Sequence, residues 1–278
     1  MRTVSYRSLL EAAALLGGIQ PAQLQSEDAA VLNLGLNRAL RHAWEFAFWP
    51  ECTVVAEYRY RPDYDAATLY PTGAEVYSPA AGAYYRAVQP GTGQALADAA
   101  YWLPLSGLNW AIYVPWGAGG VPEGATVRRC CQRNPRAASA ALEVAFALLR
   151  EGIAPISDVP ASLWIEYRLP CPELTGADYS ALAVYAAGAA VLYSGDYYLA
   201  TTATTAGQSP DTTPTSWSKI ELPWRLRDYL VHAAGADMLR AQGQLEKAVA
   251  EQSMADDRLY DQLLIHETQS RQARRFRS

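Results

Sequence analysis

The sequence predicts an α+β fold: a helical bundle scaffold of N-terminal helices and a long C-terminal helix, with a β-rich middle containing two small inserted β modules. Three observations predict it. Apolar residues recur at helical spacing before Pro50 and after Leu222. The intervening chain is rich in Tyr, Thr, Gly and Pro, which suits short strands and tight turns. Within it, a segment of about forty residues occurs twice.

Ser5 is placed to cap a first helix, Leu9, Leu10, Ala13 and Leu16 form its apolar stripe, and Gly17-Gly18 ends it. A second helix starts at Ser26, where Glu27 and Asp28 complement the positive end of the dipole. Val31, Leu34, Ala39, Leu40, Ala43 and Ala47 follow along one side, and Pro50 stops it. Trp44, Phe46, Phe48 and Trp49 crowd its C-terminal end and read as packing rather than a ligand site. From Cys52 to Tyr60, Val54, Val55, Tyr58 and Tyr60 suit a strand. Ala137–Arg150 has the composition of a helix, yet Val144, Phe146 and Leu148 alternate and Arg150-Glu151-Gly152 reads as a turn, which favours a β-hairpin. From Leu222 onward the helical pattern returns. Pro223 fits a first turn, and Trp224, Leu226, Leu230, Ala233, Ala234, Asp237 and Met238 continue it past Leu245 and Val249 to Leu259, Leu263 and Leu264. Gly235 and Gly243 are the expected points of bending. Unbroken, such a helix of ~50 residues would reach ~75 Å, longer than a small domain needs, and that length suggests contacts with other subunits.

At 278 residues the chain can bury one large core or a few small ones. A net charge of -5 argues against a general DNA-coating role. No apolar run is long enough for a bilayer and the first residues lack a signal-peptide pattern, so a soluble protein made in a cytoplasm is expected. Cys52, Cys130, Cys131 and Cys171 match no metal-ligand spacing and read as buried free thiols, with a Cys52–Cys171 bridge left open. Catalysis is not expected. His42, His232 and His266 lie far apart without metal-ligand spacing, and Gly117-Ala118-Gly119-Gly120 lacks the lysine and following helix of a phosphate cradle. Asp256-Asp257 lies on an exposed-looking helix face, and no cofactor or metal is implied.

In the repeat, Tyr70, Gly73, Val76, Gly82, Tyr84, Tyr85, Ala87 and Trp102 align with Tyr185, Gly188, Val191, Gly195, Tyr197, Tyr198, Ala200 and Trp217. Gly93-Gln94 and Gly207-Gln208 fall within the copies, and Glu57-Tyr58-Arg59 and Glu166-Tyr167-Arg168 precede them. The first copy carries an insertion, Pro79-Ala80-Ala81. A sheet this small must be knit together by its aromatics. The layout resembles small chitin- or cellulose-type carbohydrate-binding modules, most closely in Tyr193-Ser194-Gly195-Asp196-Tyr197-Tyr198-Leu199-Ala200. That resemblance implies two roles for Tyr84, Tyr85, Trp102, Tyr197, Tyr198 and Trp217: module core, or stacking against polysaccharide.

The remaining chain carries Leu36-Asn37-Arg38-Ala39-Leu40, Trp44 through Pro50, Arg133-Asn134-Pro135-Arg136, Glu143-Val144-Ala145-Phe146, Glu151-Gly152-Ile153, Leu163 through Pro170, and an alanine-rich helix ending in arginines. In this order the pieces resemble the head-to-tail adaptor (neck or connector) proteins of tailed bacteriophages. The resemblance implies a scaffold of residues 1–62, 104–170 and 220–278, with modules inserted at 63–103 and 171–219. It also implies a dodecameric ring joining capsid to tail at the head–tail junction of the virion, assembled in the host cytoplasm. Portal, tail or neck proteins and the genomic DNA in the channel would be its partners. Arg271, Arg274, Arg275 and Arg277 would then contact an acidic portal surface or DNA phosphates. The other reading is a polysaccharide-binding protein of the tail or virion surface that uses the two modules.

Overall fold

Ser5 caps the first helix as its position predicts, its Oγ accepting a hydrogen bond from the Ser8 N–H at 3.2 Å. The computed structural model describes residues 2–59, 63–105, 113–117, 120–137, 142–156 and 162–275. They fall into two units, Met1–Glu51 with Cys171–Ser278, and Cys52–Pro170.

In the first unit, helix α1 (Tyr6–Leu16) ends at Gly17-Gly18, and α2 spans Ser26–Phe46. Helix α2 starts at Ser26 as expected. Gln25 occupies the cap position without a side-chain bond, and compensation of the first turn falls to Glu27 and Asp28. The helix also stops before Pro50, with Ala47 already extended. The Trp49 indole folds back instead and donates to the Ala43 carbonyl at 2.7 Å, satisfying an acceptor that the last turn leaves free.

The C-terminal helix is two helices, α3 (Arg227–Ala241) and α4 (Leu245–Arg275). Leu222-Pro223 is not a first turn but a short strand paired with Thr3–Val4, and a 3-10 turn over Trp224–Leu226 precedes α3. The break falls at Gly243, whose φ of +76° only glycine adopts freely. Gly235, the other expected bend, lies within α3 at a close approach: a Cβ there would stand 3.0 Å from Leu16 Cβ. Tyr229, Leu230, Val231, Ala233, Ala234, Gly235, Ala236, Met238 and Leu239 are all buried, so α3 is the central rod of the bundle. Against it pack Leu9 and Ala13 of α1, Leu32, Leu36 and Leu40 of α2, and Ala248, Ala255 and Leu259 of α4.

The second unit holds an antiparallel four-stranded sheet in the order Glu143–Val144, Thr126–Cys131, Ser162–Arg168, Thr53–Arg59. A three-stranded sheet of Phe146–Leu148, Gly152–Pro155 and Val114–Pro115 accompanies it. The hairpin expected before Ile153 is present, with Phe146 opposite Pro155 and Leu148 opposite Ile153. Val114, Val121, Cys130, Val144, Ile153, Leu163, Ile165 and Tyr167 form the core. All four cysteines are free thiols, so no Cys52–Cys171 bridge forms. Tyr60, residues 138–141, and Ala118 and Gly119 of the glycine-rich loop lie outside the described residues.

The repeat is reproduced in its strand pairing and in its main hydrogen bonds, one copy in each unit. Glu75–Ser78, Ala83–Ala87 and Trp102–Leu105 form one three-stranded sheet; Ala190–Tyr193, Asp196–Ala200 and Trp217–Lys219 form the other. Val76 faces Tyr85 and Ala87 faces Trp102, as Val191 faces Tyr198 and Ala200 faces Trp217. The Gly73 N–H donates to the Ala87 carbonyl at 2.7 Å, and the Gly188 N–H to the Ala200 carbonyl at 2.8 Å. Each tryptophan indole donates to a glutamine carbonyl at 3.1 Å, Trp102 to Gln94 and Trp217 to Gln208.

Candidate assembly surface

Strand alternation gives the paired tyrosines of each module opposite duties. Tyr85 and Tyr198 lie on the same face as Trp102 and Trp217 and pack, half-buried, on the small module cores. Tyr84 and Tyr197 point the other way and anchor each module to its own unit. Tyr84 packs on the sheet core around Val114 and Ile153. Tyr197 meets Tyr6 of α1 edge-on, ring centroids 4.8 Å apart. The same docking uses backbone: the Arg7 N–H donates to the Gly195 carbonyl and the Tyr6 N–H to Asp196 Oδ1, both at 2.9 Å. Of the six aromatics read from the sequence, Trp102, Trp217 and Tyr197 are buried, and Tyr84, Tyr85 and Tyr198 are half-buried.

Helix α4 presents two apolar faces. Ala248, Ala255 and Leu259 are buried against the bundle. Leu245, Val249, Tyr260 and Leu264 lie roughly 100° further round the helix, and each is more than 60% exposed. Apolar exposure of this kind on one element makes it the candidate interaction surface of the first unit. Charge runs along the same helix. Glu246, Glu251, Asp256, Asp257 and Asp261 outnumber Lys247 and Arg258, and no acidic residue follows Glu267. Arg271, Arg274 and Arg275 fall in the last turns of α4, and Arg277 lies outside the described residues. Sequence reading took Leu245, Val249 and Leu264 as one stripe with Leu259. The spacing of Leu245, Val249, Tyr260 and Leu264 was the signal for a separate face.

Beside this face, a groove of about 270 Å³ opens between α2 and α4 with α3 as its floor. Arg38 and His42 line one wall, Gln252 and Asp256 the other, and Tyr229, Ala233 and Asp237 the floor. His42 Nδ1 and the Tyr229 hydroxyl are 2.9 Å apart. Asp237 takes ion pairs from Arg38 and Arg240. The His42–Tyr229 and Arg38–Asp237 contacts tie α2 to α3; sequence reading missed them because they join residues distant in the chain. His42, His232 and His266 are not brought together: His232 pairs with Glu251 at 2.6 Å, and the His266 ring lies 6.1 Å from that of Trp49. Among the described residues no cluster of His, Cys, Asp or Glu could hold a metal ion.

Burial first, then the Asp256 and Asp237 carboxylates, pushes the Tyr229 hydroxyl from its ordinary 10.0 up to about 12, with Arg38 opposing. The folded state therefore favours the neutral phenol. Its contribution to stability is complete below pH ~10 and is lost as pH rises through about 12. Alkaline unfolding followed by circular dichroism is expected to show this loss, and Tyr229→Phe to remove its share of the pH dependence.

No protein-family model matches the sequence, and no curated protein matches it.

Proposed function

We propose that this protein is a structural assembly protein, a bacteriophage head-to-tail adaptor that forms a ring on the portal and joins capsid to tail without catalysis. The observation that carries this reading is the exposed apolar flank of α4, a surface the folded chain leaves for another protein to cover. The order of helix, strand and arginine-tailed helix along the chain adds the resemblance to neck proteins. Arg271, Arg274, Arg275 and Arg277 are the proposed contacts to portal or DNA. The burial of Trp102, Trp217 and Tyr197 favours assembly over polysaccharide binding, because rings committed to packing are withdrawn from sugar stacking.

Mixing the full chain with portal rings and weighing single particles by mass photometry tests the proposal. The expected product is portal carrying a complete ring of this protein. A chain that stays monomeric beside portal would overturn the reading, whereas retention on bacterial surface glycans without portal binding would favour the polysaccharide alternative.

A further inference from the structure

We infer that the acidic, apolar flank of α4 is a contact between two copies of this chain, and that its occupant is the arginine-bearing C-terminal end of a neighbouring copy's α4. The inference gives the ring proposed above its copy-to-copy contact and rests on that reading for its closure. Three observations point to it.

The flank carries exposed apolar residues towards both ends: Leu245 and Val249, then Tyr260, edge-on to Phe46, and Leu264, over nineteen residue steps or roughly 28 Å of helix. It is also negative and only partly compensated from within. Asp256 and Asp257 have no cationic partner among the described residues, while Glu251 is taken by His232 and Asp261 reaches Arg258 only at 3.9 Å. Finally, the complementary charge is on the same helix but out of reach. Asp257 and Arg274 are roughly 25 Å apart along the axis, well beyond the Debye length of about 8 Å at physiological salt. One copy cannot neutralise itself; a second copy, sliding its basic end over the acidic middle of the first, can. Isoleucine and leucine at Ile265 and Leu264, both exposed, lie between the two charged stretches and would be covered with them. Donor and acceptor are different surfaces, so each copy can give one contact and receive another, which is the requirement for a heterologous interface that propagates round a ring.

Sedimentation velocity on the full chain at low ionic strength tests this. Wild-type protein is expected to self-associate and to dissociate as salt is raised. The charge reversal D256R/D257R lies on an exposed stretch of α4 and R274D/R275D at its C-terminal end, and circular dichroism should show both variants folded. Each alone is expected to weaken association roughly tenfold or more. An equimolar mixture of the two is expected to associate again, since every reversed acid then meets a reversed base. Removing residues 271–278 gives a second route to the same loss and does not depend on how the aspartates near Tyr229 tolerate change. Association unaffected by either reversal or by the truncation, a mixture that stays dissociated, or a wild type that is monomeric throughout would each overturn the contact. Portal is absent from these measurements, so the ring reading can fail in the portal experiment while this contact stands, and the reverse.

Discussion

Trp102→Ala and Trp217→Ala are each expected to destabilise the unit carrying the module by about 3–5 kcal/mol, the range for removing a buried indole. The two effects should fall in the same range, because the ring surroundings repeat. Trp102 sits edge-on to Tyr70 and Tyr64, and Trp217 edge-on to Tyr185 and Tyr179, with matching hydrogen bonds to Gln94 and Gln208. Replacement by Phe keeps most of the apolar contact; at Trp217 it removes the indole donor to the Gln208 carbonyl, which costs about 1 kcal/mol, whereas at Trp102 the Gln94 carbonyl still accepts from the Tyr64 hydroxyl at 2.6 Å and the cost should be smaller. Urea unfolding of the full chain, with the two transitions assigned by comparing single and double variants, measures both. Alanine variants of wild-type stability that have lost binding to a glycan would show these rings to be ligand contacts and not core.

The equal partition of the tyrosine pair was only half legible in the sequence. The motif Tyr84-Tyr85 and its copy Tyr197-Tyr198 reveals a strand and its alternation, hence one ring on each face. Which face meets the rest of the chain depends on residues elsewhere, such as Tyr6, whose N–H and ring both receive the second module. The helices were legible for a similar reason: Ser5, the Gly17-Gly18 stop and the stripe of α2 are local signals that the bundle leaves in force. Leu222-Pro223 misled because proline suits a first helical turn and an edge strand equally, and only the arrival of Thr3–Val4 decides between them. The unbroken C-terminal helix misled because a glycine at φ +76° and a glycine packed inside a helix look alike in sequence. Gly243 is the first kind and Gly235 the second. The candidate surface was least legible, since a helix stripe shows that residues share a face but not whether the monomer covers it.

Glu166→Ala is expected to cost the sheet unit about 3 kcal/mol, near the lower end of the range for breaking a buried ion pair. The reason lies in an irregularity of the ladder. Glu166 faces Arg129 and Tyr167 faces Val127, so Arg128 is an extra residue in a β-bulge. The bulge brings two consecutive arginines to one carboxylate: Arg128 Nη1 lies 2.9 Å from Oε1 and Arg129 Nε 2.5 Å from Oε2. Glu166 is only 7% exposed, and its buried charge is compensated by the two arginines together. The arginines are partly open to water and can be resolvated when the carboxylate is removed, which keeps the cost from the upper end of the range. Arg128→Ala is expected to cost only ~1 kcal/mol or less, because Arg129 still holds the carboxylate and Arg128 is nearly half exposed. Arg129 carries a further contact to Glu143 at 3.5 Å, so Arg129→Ala should fall between the two. Denaturant unfolding of the three variants gives the order. If Arg128→Ala equals Glu166→Ala, the carboxylate is held by one arginine and the bulge serves another purpose. If the double variant of Arg128 and Arg129 is milder than Glu166→Ala, the burial of Glu166 itself is relieved by solvent that the folded unit now excludes.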